Sequence, residues 1–465
     1  MKKKIILLAV CLFSVFAFFT ACNGDKNPTG TGTATGEKDF GGRKFYFRGT
    51  VIIADPSDDD PDIDPGTLPY MESREDEVLY NQCLYIEKAY NCKIIRSGFS
   101  ESTQTFATMF ASGDIEADFC SATFSELRDY FKAGILCDLE KLENLDASDE
   151  EKWGIEAKRD ATRYGGVLYG FPVKGSMYTP FVSVYSGALI YNYKLYDEFN
   201  IGTTPKEMVE AGDWTFDTFL NLVQRCSDLT AQRPVYGLQS ACSLEASAID
   251  ANGSNIIIKR NDKYISGLSS DPAINALEWV RKMYQTGCVS VDGRGNIDND
   301  TAVFALKTSE NAINTKCSTV HWVQFPKGPD ATEATKNTGA YFGYHERGTS
   351  VFKHGNDAQR DEDSAFILDK LFAPTEEWGK TGYDDYMARN FFDTVDDYEV
   401  YKNTSINMNY QYALEILADE NFGKEYQDVI GSAVAPSFTG SIKNQLSSLV
   451  TAMNEKICKP MNEAK

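Results

Sequence analysis

Histidine is nearly absent from this chain. His321, His345 and His354 are the three in 465 residues. So few weigh against a zinc hydrolase or a Ser–His–Asp machine. No H-E-x-x-H, G-x-S-x-G or G-x-x-x-x-G-K-[ST] motif offsets the shortage. A glycosidase built on two carboxylates stays open. Eleven cysteines contain no C-x-x-C, so a zinc site of that spacing is excluded. No short-period repeat occurs. Beyond the first residues, no stretch approaches the ~20 apolar residues that a spanning helix needs. Positive charge is also short: 46 Lys and Arg against 68 Asp and Glu, a net charge of −22. That balance disfavours nucleic acid and anionic lipid surfaces. Solubility at a crowded surface explains it equally well and is the simpler reading. No cofactor and no metal are expected.

What is present begins with an address. Met1-Lys2-Lys3-Lys4 precedes a mostly apolar run, Ile5 to Phe19, too short and poorly flanked for a spanning helix. Thr20, Ala21 and Cys22 follow, and small residues just before a cysteine resemble the bacterial lipobox. The resemblance implies a signal peptide over 1–21, a diacylglycerol on the sulfur of Cys22, and cleavage before it. Two acyl chains with no second membrane element suffice for stable anchoring. The expected location is extracytoplasmic, on the bacterial cell membrane. Residues 22–38 (CNGDKNPTGTGTATGEK) cannot bury a core and are expected to form a flexible tether.

The rest is too long for one hydrophobic core, so two lobes are expected. Strands are predicted at Lys44–Ile53, Cys92–Ile95 and Ala117–Ala122. Helices are predicted at Glu75–Asn91, Ser102–Ser112 and Ser125–Ala133, the last two stopped by Gly113 and Gly134. Such alternation indicates βαβ units and a parallel sheet. YGGVLYGFPV, 164–173, reads as a hairpin turning at Gly-Gly. A second α/β region starts with a strand at Ala188–Tyr191. Helices follow at Trp214–Ser227, capped by Asp213, and at Asp271–Thr286, capped by Asp271. Strands are predicted at Val235–Gln239, Thr301–Leu306 and Val320–Phe325, a helix at Ala358–Phe372, and a mostly helical remainder. Cys83, Cys92, Cys120, Cys137, Cys226, Cys242, Cys288, Cys317 and Cys458 are an odd set, and most sit in apolar runs as small core residues. Trp153, Trp214, Trp279 and Trp322 are expected in helix or strand packing.

Several segments in order carry a wider resemblance. They are FATMFASGDIEADFCSATFSELRDYFKAGILCDLEKL (106–142), YGGVLYGFPV with ALIYNYKLYDEFNI (188–201), and DWTFDTFLNLVQRCSD with VYGLQS. INALEWVRKMYQTG and DNDTAVFALKTSENAI with VHWVQFPKGPDA complete the series. Together they resemble the extracellular solute-binding proteins of bacterial ABC importers, the maltose-binding-protein-like family. The acidic insert Asp55–Pro69 and the long stretch 174–187 depart from that pattern. The resemblance implies an α/β, two-lobed periplasmic-binding-protein fold of type II, each lobe a mixed sheet flanked by helices, joined by a hinge. Lobe 1 would take 39–185 and 311–374, and lobe 2 would take 186–310 and 375–465. It implies a monomeric, non-enzymatic receptor. Its partners would be a small solute, modally a carbohydrate, and the permease subunits of an importer.

Ligand positions follow from strand ends that face a cleft. They are Arg48; Ser121, Thr123 and Ser125; Lys174, Ser176 and Tyr178; Lys307, Ser309 and Glu310; and Tyr344 and Arg347. Tyr178 and Tyr344 are candidates to stack on a pyranose face, and Arg48 and Arg347 to hold a carboxylate. The tryptophans that relatives place after the third strand and after the TAVFAL strand are absent, which weakens the sugar assignment. Two other readings remain at this point: a surface glycan-processing enzyme using paired carboxylates, and a sensory or adhesive lipoprotein on the same fold.

Overall fold

A computed structural model of the chain describes residues 38–49, 74–97, 101–153, 156–172, 187–240, 244–333, 335, 347–373, 388–389, 391–407 and 420–463. The signal, Cys22 and the tether up to residue 37 lie outside the described residues.

Alternation of aromatic with charged residues gives β1 (Arg43–Gly49), with Phe45 and Phe47 turned inward. A helix, α1 (Arg74–Tyr90), returns the chain to β2 (Cys92–Ser97). Next, α2 (Thr103–Ser112) is capped by Ser102, whose hydroxyl accepts from Thr105 N, and is stopped by Gly113 at φ 82°. It leads to β3 (Phe119–Thr123), which runs directly into α3 (Phe124–Lys132). β1, β2 and β3 are mutually parallel, as helical crossovers require. A strand from far along the sequence, β13 (Arg347–Val351), adds antiparallel to β3 and completes the order β13-β3-β1-β2. This sheet is covered on both faces. Phe45, Phe47 and Phe119 pack with Cys83 and Ile86 of α1 and with the later helix α10 (Ala358–Leu371). Cys120 and Ala122 pack with Phe106, Leu127 and Tyr130.

The predicted hairpin forms as β4 (Arg163–Tyr164) and β5 (Val167–Leu168). Gly165 and Gly166 are at φ 56° and 81°, the pair that a tight hairpin turn demands. Beyond it, Phe171 pairs with Thr349 of β13.

The second region begins at β6 (Gly187–Asn192), followed by α4 (Tyr193–Glu198), α5 (Pro205–Ala211) and α6 (Phe216–Arg225). Then come β7 (Tyr236–Ser240), α7 (Leu244–Ala251) and a hairpin of β8 (Ile257–Arg260) and β9 (Lys263–Ser266). Helix α8 (Asp271–Gln285), β10 (Val289–Ser290), β11 (Ala302–Thr308), the short α9 (Ser309–Ile313) and β12 (Val320–Val323) follow. The five-stranded order is β10-β7-β11-β6-β12, with β6 antiparallel to both neighbours. The largest apolar cluster among the described residues lies between this sheet and α6, α8, the later helix α12 (Glu420–Val434) and the short helical turns that follow it. Phe216 stacks on Trp279 at 4.1 Å within it. Helix α11 (Val395–Asn407) packs on β12.

Three expectations change. Residues 311–333 do not return to the first sheet. β12 closes the open side of β6, Lys327 bridges to Thr215, and Gly328 N donates to Ala251 O. The cap of α6 is Thr215 rather than Asp213, because backbone bonds between Lys327 and Trp214 and Phe216 hold the chain extended two residues longer. The cap of α8 is Ser270 rather than Asp271, whose own place is in the first turn beside Pro272. The four tryptophans are buried, and the described cysteines are free thiols, all buried except the partly exposed Cys288. Among the described residues no helix is long and apolar enough to cross a membrane.

Candidate functional site

In an open α/β sheet, ligands bind outside the carboxyl ends of the parallel strands. For the first sheet those ends are Gly49, Ser97 and Thr123, and the register places the start of β13 there too, since Arg347 lies opposite Thr123. For the second they are Ser240, Ser290 and Thr308, and Gly187, the first residue of β6, pairs with Thr308. The chain therefore leaves the first edge past Phe171 and Pro172, and enters the second at Gly187. It comes back to the first at Arg347. The two edges that would hold a ligand are those from which the chain passes between the sheets.

The side chains at these edges are partly spent on structure. Thr123 forms a capping box: its hydroxyl accepts from Glu126 N and donates to the Glu126 carboxylate at 2.8 Å, while Thr123 N donates to the same carboxylate at 2.7 Å. Ser125 Oγ lies 3.0 Å from the Thr123 hydroxyl. This pair turns β3 into α3 within one residue and leaves Ser125 half-buried at the edge. Ser121 is fully buried, and its hydroxyl has no hydrogen-bond partner among the described residues, so it does not face open solvent. Arg48 directs Nε and Nη2 to Glu116 O at 3.1 and 3.0 Å. Glu116 precedes β3, so the guanidinium reaches back from the edge and steadies that loop instead of pointing at it.

Lys307 is buried rather than presented. Its ammonium donates to Asp298 Oδ2 at 2.8 Å. Asp298 also accepts from the Thr315 hydroxyl and from Lys316 N. Burial alone would raise the Asp298 carboxyl. The bonds from Lys307 and Thr315 outweigh it and hold the group below the usual carboxylate value. The pair ties β11 to the loops on either side of it. Lys307→Met is expected to lower unfolding stability by about 1–3 kcal/mol, since Asp298 loses its cation while still partly exposed to water. Urea denaturation at neutral pH measures this, and the deficit should shrink as pH falls and Asp298 takes up a proton.

Of the remaining candidates, Ser309 and Glu310 open α9 directly behind β11, and Arg347 opens β13. All three have backbones at the edges, with side chains outside the described set. Lys174, Ser176, Tyr178 and Tyr344 lie wholly outside it.

No family model matches the sequence, and no curated protein matches it either. Solved structures do match. One is a cyclic α-maltosyl-1,6-maltose-binding protein from Arthrobacter globiformis, with a TM-score of 0.57 over 91% of this chain and 99% of that one, at 13% identity. A second is a cyclo/maltodextrin-binding protein complexed with maltotetraose, at 0.58, 91%, 98% and 14%. A third is the sugar-binding protein MalE from the phytopathogen Xanthomonas citri, at 0.53, 90%, 98% and 14%. The chain has the two-lobed fold of these sugar-binding proteins.

Two cavities of ligand size occur among the described residues. One, of about 730 Å³, is at the amino end of β3, between Glu116, Ala117, His354 and Arg360. The other, of about 510 Å³, flanks the outermost strand β12 and is walled by Tyr193, Lys206, His321 and Asp397. The first does not reach the carboxyl edges, whereas the second reaches the carboxyl end of β12 at Val323 and Gln324. Ser97, Ser240 and Ser290 end their strands at those edges and were not singled out from sequence. The signal that marks them is position alone, as the last residue before each strand stops.

Proposed function

We propose that this protein is the substrate-capturing receptor of an ABC importer, binding a sugar or oligosaccharide between its two lobes and delivering it to the membrane permease. The observation that carries the reading is the backbone likeness to three sugar-binding proteins across nine-tenths of the chain. It is supported by the way the chain passes between the sheets at the carboxyl edges of both. The lobes in this reading are 39 to about 172 with 347–373, and 187–333 with 388–463. Closure about the passages between them would bury the ligand and present a different surface to the permease. The protein binds without turnover, acts as a monomer, and is held outside the cell membrane by a lipid on Cys22. The tether keeps capture close to the importer.

The test is thermal and chemical denaturation with maltotetraose, cyclodextrins, monosaccharides and, for contrast, amino acids. A ligand at a hundredfold its dissociation constant adds about 2.7 kcal/mol to the folded state. Stabilisation by at least one carbohydrate is the expected result. Stabilisation by amino acids alone would keep the receptor and discard the sugar. Release of a cleaved product from any glycan would replace receptor with enzyme.

A further inference from the structure

We propose that His321 and Asp397 form a proton-operated latch that fixes the amino end of α11 to the outer strand of the five-stranded sheet. β12 is the end strand of that sheet, and α11 covers it. Asp397 lies in the first turn of α11 and is 4% exposed. Its Oδ1 accepts from Trp322 N at 2.7 Å. Its Oδ2 accepts from the Thr394 hydroxyl at 2.5 Å and meets His321 Nδ1 at 3.0 Å. One buried carboxylate thus joins the strand's backbone, the strand's histidine and the residue that caps its own helix, since Asp397 N donates to the Thr394 hydroxyl.

A carboxylate accepts only, so the histidine nitrogen that faces it must donate. With the imidazole doubly protonated the bond is charge-assisted, and it is weaker once the ring is neutral. The surroundings favour the charged ring. Its ring centroid lies 4.8 Å from that of Tyr193 and 5.9 Å from that of Tyr191, tilted at 30° and 51°, within the range at which an aromatic ring attracts a cation. Asp393 adds negative potential from the α11 side, and Asp396 and Glu399 line the same cavity. Asp197 of α4 and Glu210 of α5 line the cavity from the other side. Lys206 of α5 opposes, but its ammonium is paired with Asp396. That second tie between α5 and α11 is solvent-exposed on both partners and contributes little. The bond to Asp397 raises the His321 pKa above its ordinary 6.5, burial works against it, and the charges of Asp397 and Asp393 reinforce it. A histidine whose folded pKa is raised stabilises fully below the unfolded value, and that contribution is lost as pH rises through the folded value. The latch is therefore closed in mildly acidic surroundings and loosens towards alkaline ones.

What it controls follows from connectivity. Helix α10 packs on the four-stranded sheet and α11 on the five-stranded one, so the chain between them goes from one sheet to the other. The latch sets how firmly that passage is anchored where it arrives.

The test uses the full chain and needs no ligand. Hydrogen exchange of α11, taken relative to α10 and corrected for intrinsic rates, should lose protection by about threefold or more between roughly pH 5.5 and 8.5. In His321→Gln, which keeps an amide donor but cannot titrate, that ratio should be flat. The His321 ring resonance in the unaltered protein should titrate above 6.5. A His321 that titrates at or below that value overturns the proposal, even if the variant does not fold. So does an equal loss of α11 protection in His321→Gln.

Discussion

Asp118→Ala is expected to lower unfolding stability by about 3–5 kcal/mol, seen as a drop in the urea midpoint with an unchanged slope. The carboxylate is fully buried just before β3. Oδ2 accepts from Tyr46 N at 2.8 Å; Oδ1 accepts from Arg360 Nε at 2.8 Å and from the Ser364 hydroxyl at 3.2 Å. His354 Nε2 stands 3.5 Å away and donates to the neighbouring Ala117 O at 2.8 Å. A single side chain therefore serves the backbone of β1, the first turns of α10 and the loop behind β13. Truncating it strands a strand amide without an acceptor and leaves the partly exposed Arg360 guanidinium without its buried anion. Asp114→Ala is the control. Asp114 is exposed and bonds mainly to Ser112, so its loss should stay within about 0.5 kcal/mol.

Gly237→Ala should do comparable damage through sterics alone. Gly237 lies in β7 where α6 crosses it, and a Cβ added there would sit 1.9 Å from Val223 O and within 2.7 Å of two further backbone atoms of Val223. No rotamer relieves a clash with backbone. The helix must lift from the sheet, opening the cluster around Phe219, Leu222 and Leu238. Overpacking usually costs 1–3 kcal/mol, and this rigid contact should exceed about 3 kcal/mol. Denaturant unfolding measures the cost. An intact midpoint would mean that α6 and β7 are less closely apposed than described.

How far the sequence reveals this architecture differs from element to element. The first sheet is legible because each of its elements carries a local mark. β1 alternates, α2 lies between Ser102 and Gly113, and the hairpin turns on two glycines. The second sheet is harder, because partners decide its details. Nothing local tells that Lys327 will pair with Thr215 and delay α6, or that β12 will close the side of β6 before the chain goes back. The hairpin of β8 and β9 has a weak local mark, although Asn261 and Asp262, at φ 52° and 60°, are residues that tolerate such a turn. Its strands alternate too weakly to announce themselves. For the candidate site, strand ends could be ranked by position, and Thr123, Ser125 and Arg347 do fall on an edge. The direction of a side chain could not be read. Arg48 and Lys307 are both cations near strand ends, and only the folded chain shows that each is turned to an internal acceptor.

The strand that completes the first sheet sets a schedule. Thr349 of β13 donates its hydroxyl to Cys120 O, 229 positions earlier in the chain. As the chain is made from its amino end, β1, β2 and β3 emerge early, yet β3 keeps one bare edge until the ribosome has passed Val351. By then β6, β7, β11 and β12 have also emerged, so the two sheets come within reach of completion at nearly the same moment. Pairings so distant are slow to form, and a half-built sheet with an open edge invites mispairing. For the exported receptor proposed above, which is threaded through a membrane before it folds, the same delay keeps the first sheet incomplete until most of the chain has been synthesised.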